Sequence, residues 1–194
     1  MIIYKRGPES EPKSWRPITL EDCTAKVFFG IIADRLLIFL KKCSGLPPGQ
    51  RAVVGVDGCA DCNWILDLTR VKALLNQKNY YLIWLDLSNA FGSVNHSLLI
   101  KILRKKAIPQ TIADVIEDAY TDGTVSYNST DKISEMSEKI GLKQGCPLSP
   151  FLFDLYTAPV FEAVESLKGG FPLSKNETLG VFAFADDFTL IAVL

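Results

Sequence analysis

Residues 179–194 read Leu-Gly-Val-Phe-Ala-Phe-Ala-Asp-Asp-Phe-Thr-Leu-Ile-Ala-Val-Leu, two apolar runs of strand character joined through Ala185-Asp186-Asp187. A join this short between two such runs makes an antiparallel hairpin with adjacent carboxylates in its connection. An ordinary Asp-rich turn usually recruits Gly or Asn, and neither stands beside these acids. Two unit charges about 4 Å apart repel by roughly 4 kcal/mol at an effective dielectric near 20. The pair therefore needs a proton or a cation, and a divalent metal is its natural partner.

The third carboxylate of the argument lies a hundred residues upstream. Tyr80-Tyr-Leu-Ile-Trp-Leu85 is a short aromatic and β-branched run, which predicts a buried strand ending at Asp86, with the carbonyl of Leu87 beside it. If that strand neighbours the hairpin, Asp86, Asp186 and Asp187 converge at one edge of the sheet and can hold two Mg²⁺ roughly 3.5–4 Å apart. That is equipment for in-line phosphoryl transfer. Asp86 alone would read as a cap following a strand; its weight comes from the set.

Between these acids the periodicity is helical. Apolar positions Val27, Ile31, Leu36, Ile38 and Leu40 predict a long, largely buried helix over 21–42, and Ile65, Leu68, Val71 and Leu75 form one face of a helix over about 60–77. Asn95 can cap a helix through Lys106, and Pro109 can open another to about Tyr120. The polar stretch 123–139 suggests an exposed hairpin, 141–150 is a rigid loop with Pro147 and Pro150, and helical spacing resumes over 151–167.

The 194 residues carry 22 Asp plus Glu against 21 Lys plus Arg, with 48% hydrophobic and 22% charged residues, which fits one globular domain or slightly more and excludes disorder and coiled coil. The longest candidate for a membrane span, Val27–Leu40, carries Asp34 and Arg35 in its middle, so no membrane role is expected. The start, Met1–Pro8, meets charge and proline too early for a secretory signal. Five scattered cysteines point to a reducing, intracellular compartment. Cys59 and Cys62 have metal-ligand spacing, but no second pair completes a site, so they read as small buried thiols at a helix start. Residues 1–106 hold 16 basic and 9 acidic residues and 107–194 hold 5 and 13, an asymmetry that sets a basic, phosphate-facing part beside an acidic, metal-binding one.

Leu85-Asp-Leu-Ser-Asn-Ala-Phe91, Gly141-Leu-Lys-Gln-Gly-Cys-Pro-Leu-Ser-Pro-Phe-Leu-Phe153 and Phe184-Ala-Asp-Asp187 resemble, in order and separation, the three core motifs of reverse transcriptases. Trp15-Arg-Pro-Ile-Thr-Leu20, with Lys26 and Arg35-Leu36 downstream, resembles the fingers of non-LTR, LINE-type retrotransposon enzymes. The resemblance spans Tyr4 to Leu194. It implies an α/β (α+β) right-hand polymerase: fingers mainly over about 1–79, and an antiparallel palm sheet backed by helices mainly over about 80–194, with a fingers insertion.

On that mapping Asp86, Asp186 and Asp187 are catalytic and metal-binding, Asp187 in the less direct role, with Leu87 offering its carbonyl to one of two Mg²⁺; Mn²⁺ is an alternative ion. Phe91 matches the steric gate that rejects ribonucleotides, Gln144 and Gly145 the loop beside the incoming nucleotide, and Arg16 and Lys5 the cations that hold the triphosphate. RNA template, a primer 3′-end and deoxynucleoside triphosphates are the implied partners.

Three departures stand out. Gly92 replaces the usual Asp after the aromatic, the glycine-rich and aromatic fingers motif is altered in Gln50–Gly58, and the sequence stops seven residues after Asp187, short of the later palm segments and the thumb. The expectation is therefore a fragment with little processive activity by itself. A degenerate remnant that binds nucleic acid or protein without catalysis is the alternative, favoured by the truncation and Gly92 and opposed by the three acids and Gln144. An RNA-dependent RNA polymerase or a group II intron-type reverse transcriptase shares the palm logic, but the former usually has Gly-Asp-Asp at its turn.

Overall fold

The computed structural model describes residues 1–43, 45–53, 55, 57–121, 123–129, 132–167, 169–172, 174 and 178–193. They divide into two compact units, Met1–Leu36 with Phe91–Leu152 and Leu37–Ala90 with Phe153–Leu194.

In the first unit, strands β1 (Ile2–Tyr4) and β2 (Trp15–Pro17) pair antiparallel with Ile3 opposite Arg16. The Trp15 ring meets Tyr4 edge-on at 5.3 Å. Helix α1 (Cys23–Lys42) starts after Asp22, whose carboxylate accepts from the Ala25 N–H at 2.8 Å. Its apolar run predicts a largely buried helix, but only the stripe Ile32, Ala33, Leu36 and Leu40 is buried, whereas Val27, Phe28, Ile31 and Ile38 are exposed. A helix offers a single stripe to a core, and apolar residues beyond that stripe stay outside it.

Helices α3 (His96–Lys105) and α4 (Gln110–Thr121) pack on each other, burying Leu99, Ile102 and Leu103 of one and Ala113, Ile116 and Tyr120 of the other. Arg104 donates to Glu117 at 2.6 Å on the rim. The hairpin expected in the polar stretch is β4 (Thr124–Ser129) paired with β5 (Lys132–Ser137). As expected from the sequence, Asn95 caps α3, its side chain accepting from the Leu98 N–H at 2.9 Å. Asn95→Ala is expected to cost about 1 kcal/mol, read as a lower denaturant midpoint with an unchanged slope.

The second unit is built on a three-stranded antiparallel sheet, β3 (Tyr80–Asp86), β9 (Asp187–Val193) and β8 (Val181–Phe184), in the order β3-β9-β8. Period-two alternation splits the sheet residues between two cores. Val181, Ala183 and Phe188 join Phe161 and Val164 of helix α5 (Ser149–Ser166), while Phe182 and Ile191 join Cys62, Ile65 and Leu66 of helix α2 (Gly58–Asn76), together with Phe171 of β6 (Phe171–Pro172) and Leu179 of β7 (Thr178–Leu179). Asp57 caps α2 by accepting from the Ala60 N–H at 3.1 Å.

Three expectations about this unit are corrected. The inward face of α2 is Cys62, Ile65 and Leu66 with Thr69 buried, not a stripe ending at Val71 and Leu75, which are 44% and 77% exposed. Cys59 is exposed and only Cys62 is drawn into the core, because Cys59 stands in the first turn of α2, ahead of the residues that face inward. Strand β3 is the edge of its sheet, and Trp84 is 66% exposed. The aromatic and β-branched composition that promotes strand formation does not say on how many sides a strand is covered.

At the opposite edge, residues 49–51 lie along β8. Ala183 donates to the Gly49 carbonyl and the Arg51 N–H donates to Ala183, both at 2.9 Å. A Cβ on Gly49 would fall 2.4 Å from the Val181 carbonyl oxygen, so only glycine admits this approach. Among the described residues no helix is long and apolar enough to cross a membrane.

Candidate active site

The β8–β9 connection is a two-residue turn, Ala185-Asp186, closed by the pair Phe184–Asp187. On its other side Asp187 is paired in register with Asp86, the last residue of β3. Residues directly opposed across an antiparallel ladder have Cα atoms about 4.5–5.5 Å apart and side chains on one face, so the backbone alone sets these two carboxylates side by side. Asp86 and Asp187 are exposed and Asp186 is half-buried. Among the described residues none of the three forms an ion pair with Lys or Arg.

Among the described residues no three His, Cys, Asp or Glu side chains meet at one point as a finished ion site. The structure thus brings Asp86 and Asp187 together and leaves Asp186 adjacent, because consecutive residues project their side chains in different directions. The donor set still fits a hard dication: carboxylate oxygens with no competing cation, at an exposed sheet edge where water can complete the coordination.

The turn is held from the side. Ala185 has φ +52°, in the left-handed region that a non-glycine residue seldom adopts. The buried Gln50 reads both backbone groups of that residue: its Nε2 donates to the Ala185 carbonyl at 3.1 Å, and its Oε1 accepts from the Ala185 N–H at 2.9 Å. The same Oε1 accepts from the N–H groups of Arg51 at 3.1 Å and Ala52 at 3.3 Å. Sequence reading places Gln50 only at the head of an altered motif. An amide among Pro, Gly and small apolar residues was the available signal.

On α5 in the second unit, Asp154 is 1% exposed, and neither carboxylate oxygen has a hydrogen-bond partner among the described residues. Burial pushes its carboxyl up to about 8, so at neutral pH it is largely a neutral acid. Sequence periodicity gives no sign of it, since the residue lies on an otherwise helical apolar run.

The substrate-side residues named by resemblance belong to the first unit. Leu142 donates to the Phe91 carbonyl at 2.7 Å, Gly141 to that of Val94 at 2.7 Å, and Thr19 to that of Gln144 at 2.8 Å. Three segments remote in sequence are thereby joined: the β2 exit, the Phe91 turn and the 141–150 loop. Gly145 has φ +116°, and a Cβ there would lie 2.8 Å from the Thr19 carbonyl oxygen, so glycine is required for this contact. Phe91 and Gln144 are half-buried; Gly145, Arg16 and Lys5 are exposed, with Arg16 on β2 and Lys5 just past β1.

The loop is anchored below. His96 Nε2 faces the Gly141 carbonyl at 2.7 Å and must therefore carry the proton. Ser149 donates to the Lys143 carbonyl at 2.8 Å, its hydroxyl lies 3.2 Å from that of Tyr120, and the His96 and Tyr120 rings meet edge-on. Burial drives the Tyr120 phenol up to about 12 and the Cys146 thiol up to about 11, so both stay protonated and inert as nucleophiles.

An antiparallel sheet backed by helices, with an acidic two-residue hairpin beside an aspartate-ended strand, defines the class as a right-hand polymerase. The fold agrees with that of apo telomerase from Candida tropicalis truncated from its C-terminal domain, at TM-score 0.62 and 15% identity over 87% of this chain and 34% of that one. It also agrees with telomerase from the same organism in complex with a TWJ fragment of telomeric RNA, at TM-score 0.60 and 13% identity over 89% of this chain and 29% of that one.

Residues 3–193 match the family described as reverse transcriptase (RNA-dependent DNA polymerase), and the chain belongs to that family. Its relatives include the Retrovirus-related Pol polyprotein from type-1 retrotransposable element R2 of Popillia japonica, 29% identical over 98% of this chain and 26% of that protein. The corresponding polyprotein from type-2 retrotransposable element R2DM of Drosophila melanogaster is 31% identical over 99% of this chain and 18% of its own length. The chain thus spans about a quarter or less of the length of these retrotransposable-element polyproteins.

Proposed function

We propose that the chain carries the nucleotidyl-transfer site of a retrotransposon reverse transcriptase, adding deoxynucleoside triphosphates to a primer 3′-hydroxyl on an RNA template. The observation that carries this reading is the register pairing of Asp86 with Asp187 beside the Asp186 turn. Asp86, Asp186 and Asp187, with the Leu87 carbonyl, are the groups that would hold two Mg²⁺. Bound there, the ions would supply activation of the primer hydroxyl and neutralisation of charge on the departing pyrophosphate.

The chain's own residues bind and orient the substrates. Arg16, with a planar fork of donors, and Lys5, as a point charge, hold triphosphate oxygens. Gln144 and Gly145 offer a loop whose backbone a nucleotide can approach closely, and the Phe91 ring crowds the sugar 2′ position.

The test is primer extension by the Drosophila melanogaster R2DM polyprotein with its matching segment exchanged for this chain. Mg²⁺-dependent DNA synthesis on RNA that vanishes with Asp186→Asn is the expected result. Synthesis that survives Asp186→Asn would defeat the assignment. In the same assay Phe91→Ala should raise ribonucleotide incorporation relative to deoxyribonucleotide, because removing the ring opens space at the 2′ position. An unchanged ratio would return Phe91 to a packing role.

A further inference from the structure

We propose that Gln50 is a positioning residue for the metal-binding turn, an inference that rests on the metal role of Asp186 and Asp187 given above. Ala185 immediately precedes both acids and sits in the left-handed region, φ +52°, without the glycine or asparagine that such hairpin positions favour. A strained backbone persists only where its surroundings over-determine it. Here a side chain adds to the hairpin pairing of Phe184 with Asp187. The Gln50 carboxamide donates to the Ala185 carbonyl at 3.1 Å and accepts from its N–H at 2.9 Å, so it grips both faces of one peptide residue.

Gln50 is itself immobilised. It is 1% exposed, its Oε1 accepts from the Arg51 and Ala52 N–H groups, and its backbone forms a parallel bridge with Ala183 on β8. That bridge exists only because Gly49 lets the chain lie against Val181. The clamp therefore refers the turn geometry to the sheet, two residues from the strand that ends at Phe184. Without it Ala185 would relax toward negative φ, the direction of the chain leaving β8 would change, and Asp186 would point elsewhere. Asp187, paired with Asp86 in the ladder, would be less affected.

Mn²⁺ binding to the 194-residue chain, followed by electron paramagnetic resonance, tests this alongside hydrogen exchange at the Ala185 amide. Gln50→Met keeps the volume and apolar packing but removes both bonds. It should weaken Mn²⁺ binding by about 10-fold or more, the effect expected of a residue that orients a metal ligand, and should speed Ala185 exchange. Adding Ala185→Gly should restore much of the affinity, because glycine adopts φ +52° without help. A purely structural Gln50 would lower the melting temperature yet leave the folded chain's Mn²⁺ affinity unchanged and show no such rescue. If Gln50→Met does not fold, Gln50→Asn retains the amide but withdraws it by one methylene, and the same losses are expected.

Wild-type Mn²⁺ affinity and Ala185 exchange in a folded Gln50 variant would overturn the proposal. Asp186→Asn is the separate control. If that variant binds Mn²⁺ as tightly as the wild type, the metal role of the turn fails, and the positioning role falls with it, whereas loss of binding there with no effect at Gln50 sinks the positioning role alone.

Discussion

In a completed polymerase, such as the Drosophila melanogaster R2DM polyprotein carrying this segment, Asp86→Asn and Asp186→Asn should each lower primer extension by several orders of magnitude while leaving template affinity nearly unchanged. Asparagine preserves the size and the neutral hydrogen-bonding shape of the side chain, so the sheet and its turn should persist; what disappears is a negative oxygen ligand. Two carboxylates paired in register at an exposed strand end, with no lysine or arginine partner among the described residues, offer oxygen ligands of the kind a hard dication takes. Nucleic-acid affinity rests instead on phosphate contacts of basic side chains, which neither change touches. Extension rates under single-turnover conditions, measured beside template binding at the same salt concentration, give both numbers. Asp187→Asn should fall less far, as the less direct role that the family resemblance implies for it requires. Near-normal rates for Asp86→Asn would remove β3 from the site.

The second large effect is one of stability. Asp154→Asn should stabilise the protein at neutral pH and flatten its dependence on pH. The Asp154 carboxyl has no hydrogen-bond partner, and burial raises it from 3.8 in the unfolded chain to about 8. Between about pH 4 and pH 8 the native state therefore holds a proton that the unfolded state has released. Stability attributable to this group is fully present below about pH 4 and falls by about 1.4 kcal/mol per pH unit across that window. At pH 7 the accumulated cost is about 4 kcal/mol at most. An asparagine fills the same volume and never ionises, so the slope should vanish with it. Thermal or denaturant unfolding of both proteins from pH 4 to 8.5 decides the matter; parallel curves would mean that the carboxylate is solvated or paired when ionised.

Much of the local structure is legible without coordinates, for a definite reason. The apolar runs 179–184 and 188–193 and the acids between them specify a hairpin, since two strand-type runs joined this tightly leave few other arrangements. Helices over 23–42, 58–76, 96–105, 110–121 and 149–166 follow from 3.6-residue spacing and caps such as Asn95, with boundaries shifted by two residues or fewer. These are local signals, and local chemistry determines them.

Partnership and burial are different. Nothing in Tyr80–Asp86 declares that β9 lies beside it with Asp86 opposite Asp187, or that the strand is an edge with Trp84 in the open. Register across a hundred residues depends on how both faces of the sheet are covered, by Phe161 and Val164 of α5 on one side and Cys62, Ile65 and Leu66 of α2 on the other. The same holds for Gln50, whose sequence neighbours mark only a loop, yet whose carboxamide reaches a turn 135 positions away. By itself the sequence determined which residues carry charge and which segments form strands and helices, because periodicity and turn chemistry act over a few residues. Only the tertiary structure decided which carboxylates face each other and what holds their turn, because those depend on long-range packing that brings distant backbone groups within hydrogen-bonding reach.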